Sequence, residues 1–179
     1  MENNSQCYSG LQFCTFNCRS VKNCIPELQK LCDINDIVFL QEHWWLPDKL
    51  HLLNNIHLDF FSYGLSAVDI SRYLLVGRPY VGTVILYRKN LADRLTVVHS
   101  SESRITRVLI DTVSGPILFI NVYMPTNYGD DHSLEQLYML TVYVNYKVLL
   151  LMLMLHMFSL QVILIVILIL VSIMSCVTL

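Results

Sequence analysis

Every charged side chain of this sequence lies in its first 147 positions. All 12 Lys and Arg and all 14 Asp and Glu fall between Glu2 and Lys147. From Val148 to Leu179 the only titratable nitrogen base is His156. A chain built this way is two segments and not one average composition. Residues 1–147 read as a globular segment with mixed charge. Residues 148–174 are interrupted only by His156, Ser159, Gln161 and Ser172. A membrane-spanning helix needs roughly 20 mostly apolar residues, so this stretch is long enough. It does not read as a buried soluble helix, because covering it on every side takes a much larger domain. Two readings stay open for it: a transmembrane tail anchor, or translation in a shifted frame. Lys147 is the one positive residue at its flank, and no Trp stands at either edge.

A length of 179 residues suits one ordinary domain. The net charge of −2 gives no overall footprint for nucleic acid. The middle of the chain is locally basic, through Arg72, Arg78, Arg88, Lys89, Arg94, Arg104 and Arg107, which also reads as an ordinary solvated surface. The six cysteines, Cys7, Cys14, Cys18, Cys24, Cys32 and Cys176, form no CxxC pair, so a zinc site is not expected. Met1 to Gly10 is polar and shows no signal peptide. The expectation is an intracellular protein, not secreted, with reduced and partly buried thiols.

Along the chain, Leu11–Phe16 reads as a strand ending at Asn17. Ile25, Leu28, Leu31 and Cys32 follow at helical spacing, with Asn23 as the expected cap and Pro26 in the first turn. Ile37–Leu40 is a continuous apolar run, as in a strand buried on both faces, and it delivers Gln41 and Glu42 at its end. This opening predicts an α/β fold. A short helix is expected over Pro47–Asn55, and strands over Phe60–Tyr63, Val81–Tyr87, Leu95–His99, Arg104–Asp111 and Ile117–Tyr123. Gly77-Arg78-Pro79 and Ser114-Gly115-Pro116 read as turns, and Leu134–Val144 as helical. Gly82 lies inside a strand pattern, which marks a close backbone approach.

Three strand ends carry polar groups: Asn17, Glu42 and Tyr123. Hydrolysis of a phosphodiester needs hard oxygen ligands for a divalent metal, an activated water and groups that orient the phosphate. Strand ends hold such groups rigidly. Each residue also has a plainer reading: Asn17 as a turn former, Glu42 as a solvated strand end, Tyr123 as half-buried structure.

Four segments in register carry a resemblance. They are Thr15-Phe16-Asn17-Cys18-Arg19, then Asp36-Ile37-Val38-Phe39-Leu40-Gln41-Glu42-His43-Trp44, then Gly77 to Tyr87, and Asn121-Val122-Tyr123-Met124-Pro125. Their order and spacing across about residues 10–128 resemble the endonuclease/exonuclease/phosphatase superfamily, and within it the endonuclease domain of LINE-type (non-LTR) retrotransposons. One departure is Val81, where these endonucleases often have a second Gly. The resemblance implies a four-layer α/β/β/α sandwich, of which this chain holds the first half, and Mg²⁺-dependent cleavage of DNA. It implies Glu42 as metal ligand, and Asn17 and Tyr123 as catalytic residues beside the metal and the scissile phosphate. It implies Arg104 or Arg107 as substrate-binding residues, and no small-molecule cofactor.

The family's Gly-Asp-Phe-Asn and Ser-Asp-His segments, which handle the nucleophile, do not occur in this sequence. Gly129-Asp130-Asp131-His132 comes too soon after Pro125 and reads as solvated linker; His43 reads as a neighbour of Glu42 and not a replacement base. The expected organisation is a disordered 1–9, a partial nuclease domain over 10–130, a linker or short helix over 131–147, and a hydrophobic helix over 148–174. The expected function is a partial Mg²⁺-dependent DNA endonuclease, inactive as this chain. The alternatives are a non-enzymatic, tail-anchored membrane protein carrying a degenerate nuclease half-domain, or a translated relic of a retrotransposon.

Overall fold

The computed structural model describes residues 10–66, 68, 82–100, 104–113 and 115–123 in full, and the backbone of two strands at 163–169 and 175–178. The expectations for 1–9, for the turn at Gly77-Arg78-Pro79 and for 131–147 lie outside the described residues.

Strand β1 (Gln12–Asn17) runs into a 3-10 turn (Val21–Asn23) and helix α1 (Ile25–Ile34), which leads to strand β2 (Ile37–Gln41). Strands β1 and β2 pair in parallel, with Asn17 opposite Gln41 at their common end. Helix α1 buries Leu28, Leu31 and Cys32. Fully burying a Leu of this kind stabilises a fold by roughly 1.5–3 kcal/mol. Pro26 sits in the first turn, where its missing N–H costs nothing. The expected Asn23 cap is not used. Asn23 is taken into the 3-10 turn, the capping position falls to Cys24, and no side chain caps the helix there. At the other end Asn35 closes the helix, donating from Nδ2 to the Leu31 carbonyl at 2.8 Å.

A 3-10 helix (Pro47–Asn55) separates β2 from β3 (Phe60–Leu65), and β4 (Thr83–Arg88) follows. Next come β5 (Leu95–Val97), β6 (Ile105–Thr112) and β7 (Gly115–Tyr123). The turn expected at Ser114-Gly115-Pro116 is tighter than the sequence suggests, since Gly115 and Pro116 already belong to β7 and pair with β6.

The hydrophobic helix expected over 148–174 is corrected at residues 163–169, the part of it that is described. Ile163–Ile169 is strand β8, parallel to β7, and Ser175–Thr178 is strand β9, antiparallel to β1. No helix among the described residues is long and apolar enough to cross a membrane. The physical reason is twofold. The run Ile163–Ile169 is dominated by β-branched residues, which fit a pleated surface better than a helix. Strands β1 and β7 each have an edge with unpaired backbone groups, which a further strand satisfies.

The result is two sheets, ordered β3-β4-β2-β1-β9 and β5-β6-β7-β8. Strand β2 is buried along its whole length and alternates strictly. Val38 and Leu40 face α1, packing with Leu28 and Leu31. Ile37 and Phe39 face the second sheet, packing with Val108, Ile110 and Phe119. Phe13, Phe39 and Phe119 meet with centroids 5.5–6.2 Å apart. A helical layer covers one sheet; no helix among the described residues covers the outer face of the other.

Candidate active site

The alternation that builds the core also builds the site. Along β7, Phe119, Asn121 and Tyr123 fall on one face; along β2, Phe39 and Gln41 fall on the face opposite. Above the phenylalanines, therefore, lies a layer of amides. Gln41 Nε2 donates to Asn121 Oδ1 at 2.7 Å and to Thr15 Oγ1 at 3.1 Å. Above the amides lies the carboxylate of Glu42.

Strict alternation would send Glu42 to the helix side of the sheet. It does not go there, because its backbone turns left-handed at φ 57°. The turn brings the carboxylate over the gap between the sheets, where Tyr123 Oη donates to Glu42 Oε1 at 2.9 Å. Asn17 Nδ2, at the end of the neighbouring strand, donates to the same oxygen at 2.6 Å. Glu42 is only 9% exposed. Its second oxygen, Oε2, carries no hydrogen bond among the described residues. The three residues expected as the site are thus brought together from the ends of three strands.

The loops after β1 and β2 are tied to each other. Cys18, Ser20 and Val21 donate their amides to the carbonyls of Gln41, Glu42 and His43 at 3.0, 2.8 and 3.2 Å. Arg19, Ser20, Glu42 and Trp44 all have positive φ without being glycine. Such backbone costs on the order of 1–2 kcal/mol each and clusters where a fold fixes functional groups.

His43 is fully buried and holds this turn in place. The Trp45 amide donates to its Nδ1 at 2.9 Å, so the ring proton sits on Nε2, 3.0 Å from the Leu65 carbonyl. Burial pulls its pKa below the usual imidazole range. Both nitrogens are occupied, which leaves no lone pair for proton abstraction. Gly82 has φ 113°, and a Cβ there would sit 2.0 Å from His43 Nε2. The close approach expected of Gly82 is to this histidine, and the Gly82 carbonyl accepts the Glu42 amide at 3.0 Å.

The two arginines part company. The Arg104 guanidinium lies over the Tyr123 ring, 5.4 Å from its centroid, and the Arg104 carbonyl accepts the Tyr123 amide at 3.0 Å. Arg107 is engaged elsewhere, its Nη2 donating to the His99 carbonyl. Asp36, part of the quoted motif, stands at the far end of β2. There it binds Arg88 Nε at 3.1 Å and the Gln12 amide at 2.9 Å, stapling β4 and β1 to β2.

The residues the motifs did not single out by role are Gln41, Asn121 and Thr15. Their signal was present: Gln41 ends a run of apolar residues and Asn121 interrupts another, and a polar group inside such a run needs a buried partner.

No group of three or more His, Cys, Asp or Glu able to hold a metal exists among the described residues. What they offer a divalent cation is Glu42 Oε2; the group of Asn17 beside the carboxylate is its NH2, a hydrogen-bond donor and not a ligand, while Asn17 Oδ1 accepts the Arg19 amide. Mg²⁺ is commonly held through one or two carboxylates, with waters and substrate phosphates filling the rest, so the donor set fits that ion in its minimal form.

Solved structures similar to this chain include AP endonucleases, an exonuclease and a retrotransposon endonuclease domain. One is an AP endonuclease from Leishmania major (14% identity, 65% of this chain and 41% of that one, TM-score 0.49). An AP endonuclease from Archaeoglobus fulgidus shares 22% identity over 73% of this chain and 47% of its own, at a TM-score of 0.49. The endonuclease domain of TRAS1, a telomere-specific non-LTR retrotransposon, shares 14% over 72% of this chain and 52% of its own, at 0.45. The chain therefore spans about half the length of these structures or less. No family model and no curated protein matches the sequence.

Proposed function

We propose that residues 10–123 form the metal-holding part of a Mg²⁺-dependent phosphodiesterase site that acts on DNA, of the non-LTR retrotransposon endonuclease type. The observation that carries this reading is the meeting of Asn17, Glu42 and Tyr123 on one carboxylate oxygen. The four motif segments, in register, support it from the sequence.

Each residue has a task the geometry allows. Glu42 Oε1 is fixed by two donors, so Oε2 is presented in one orientation to a cation. A bound Mg²⁺ supplies charge stabilisation at the phosphate oxygens. Asn17 and Tyr123 orient the carboxylate; Asn17 Nδ2 keeps a second N–H for a phosphate oxygen, whereas the single O–H of Tyr123 reaches one only by giving up its bond to Glu42. Arg104, over the Tyr123 ring, holds the tyrosine and adds positive charge next to the site.

A general base is missing from this set, and general acid–base catalysis typically contributes about 10²–10⁴-fold. As this chain stands, we propose, it binds the metal and cleaves DNA at close to background rate. Mn²⁺ titration followed by electron paramagnetic resonance tests the reading. The full chain should bind Mn²⁺, and Glu42→Gln should weaken binding at least about tenfold. Equal binding by the two proteins would defeat the assignment.

A second reading concerns origin: a reading-frame change between Leu137 and Lys147. The loss of every charged residue after Lys147 favours it. Translating the transcript in its other frames decides the matter, since recovery of Gly-Asp-Phe-Asn and Ser-Asp-His downstream is expected and their absence removes the idea.

A further inference from the structure

The geometry points to Asn121, with Gln41 as its partner, as the positioning residue that sets the distance between Glu42 and Tyr123. Neither amide touches a reacting atom. The inference rests on the assignment of Glu42 and Tyr123 to the site, and adds what holds them in reach of each other.

Glu42 and Tyr123 belong to different sheets. They meet through the hydrogen bond between their side chains. A bond of 2.9 Å across a sandwich needs the sheets fixed to a fraction of an ångström, which apolar packing alone does not specify. Asn121 stands two residues before Tyr123 on the same face of β7 and is fully buried. Its Nδ2 donates to the carbonyls of Leu40 on β2 and Val84 on β4, both at 3.0 Å. Those two residues are direct partners in the β2–β4 ladder. One amide of the second sheet thus grips two adjacent strands of the first, one residue before Gln41 and two before Glu42.

The hydrogen bonds also fix which way each amide faces. Nδ2 must face the two carbonyls, because Oδ1 there would meet two acceptors. Oδ1 therefore faces Gln41 and requires Nε2 as donor. The remaining N–H of Gln41 reaches Thr15 on β1. The chain of bonds joins β7, β2, β4 and β1 and admits one arrangement. Directional bonds of this kind, buried where an unmade bond is costly, select one register of sheet on sheet.

A double-mutant cycle in the full chain tests this. Tyr123→Phe is compared with Glu42 present and with Glu42→Ala, by urea unfolding, which reads the coupling between the two side chains. With Asn121 in place, Tyr123→Phe should lower the folding constant about tenfold more when Glu42 is present. The cycle is repeated with Gln41→Leu and Asn121→Leu together, which remove both partners of the central bond, and with Asn121→Thr as the milder frame. The coupling should fall below about threefold in either, and Mn²⁺ affinity should drop about tenfold. Unchanged coupling in a folded frame overturns the inference, because a purely structural residue lowers stability without touching that coupling. Failure of both frames to fold also overturns it, making Asn121 a folding residue. If the unaltered chain binds no Mn²⁺, the site assignment fails, and the cycle still decides the positioning role by itself.

Discussion

Glu42 shows how much of a site one backbone angle decides. Its φ of 57° turns a carboxylate from the helix side of a sheet to the gap between sheets. The angle is held by His43 next to it, wedged against Gly82. Replacing Gly82 with Ala forces a methyl group into that ring and puts a side chain on a left-handed backbone. The expected loss is about 3 kcal/mol, read as a lower urea midpoint. His43 itself gives a second prediction. Its pKa lies below the ordinary 6.5 because burial penalises the cation. The unfolded chain therefore binds a proton near pH 6.5 that the folded chain refuses. Stability from this residue is complete above about 6.5 and declines as pH falls below it. Nitrogen NMR should show the Nε2-protonated neutral ring persisting below pH 6.5; a ring that titrates at the ordinary value sinks the account. At this scale the sequence was informative about Asn17, Glu42 and Tyr123, because strand ends and motif register mark them. It was silent about the Gln41–Asn121 bond, because nothing in a linear pattern pairs two amides 80 positions apart.

At the scale of elements, local periodicity was a good guide wherever one face is apolar. Helix α1 and the strands from β1 to β7 fall within a few residues of their expected bounds. The cap at Asn23 failed because a 3-10 turn absorbed that residue, a competition that spacing does not reveal. The helix expected in the tail failed at residues 163–169 for a different reason. A run without polar residues has no period to read, and its length alone fits a membrane helix. What decides for strands at Ile163–Ile169 and Ser175–Thr178 is the open edges of β7 and β1, a tertiary fact. Helix α1 carries its own prediction. It presses Cys32 into the core, and burial pushes that thiol from an ordinary 9.0 up to about 12. The folded state therefore keeps a proton that the unfolded state releases, so this contribution is full below about pH 9 and is lost as pH rises toward 12. The half-buried phenols of Tyr63 and Tyr87 shift upward too and add to the same slope. Cys32→Ala isolates the thiol. It should be less stable at pH 8 yet lose less between pH 9 and 11, as measured by urea midpoints. Equal slopes for the two proteins would rule out the thiol as the cause.

For the molecule as a whole, the question is what chemistry follows if Glu42 holds a metal while no base stands beside it among the described residues. Four histidines lie among the described residues. His43 has both nitrogens engaged. His57 is bound to Asp33 at 3.3 Å, and its Nδ1 accepts the Asp59 amide. His99 packs edge-on against Tyr63, and His51 is exposed on the 3-10 helix after β2. None of them is bonded to Asn17, Glu42 or Tyr123. If the missing element is only a proton acceptor, a small diffusible one should restore part of the rate. Imidazole added to the full chain with Mg²⁺ and supercoiled plasmid should raise nicking in proportion to its concentration. The pH dependence should follow imidazole's own ionisation, since only the neutral form accepts a proton. Glu42→Gln should abolish the rescued rate, because the metal and the scissile phosphate are then no longer held. Rescue that survives Glu42→Gln would place the chemistry elsewhere. No rescue at all, in a chain that binds Mn²⁺ and loses it with Glu42→Gln, means that more than a base is absent. Phosphate positioning would then depend on residues beyond the three strand ends, and Asn17, Glu42 and Tyr123 would hold a metal without being able to use it.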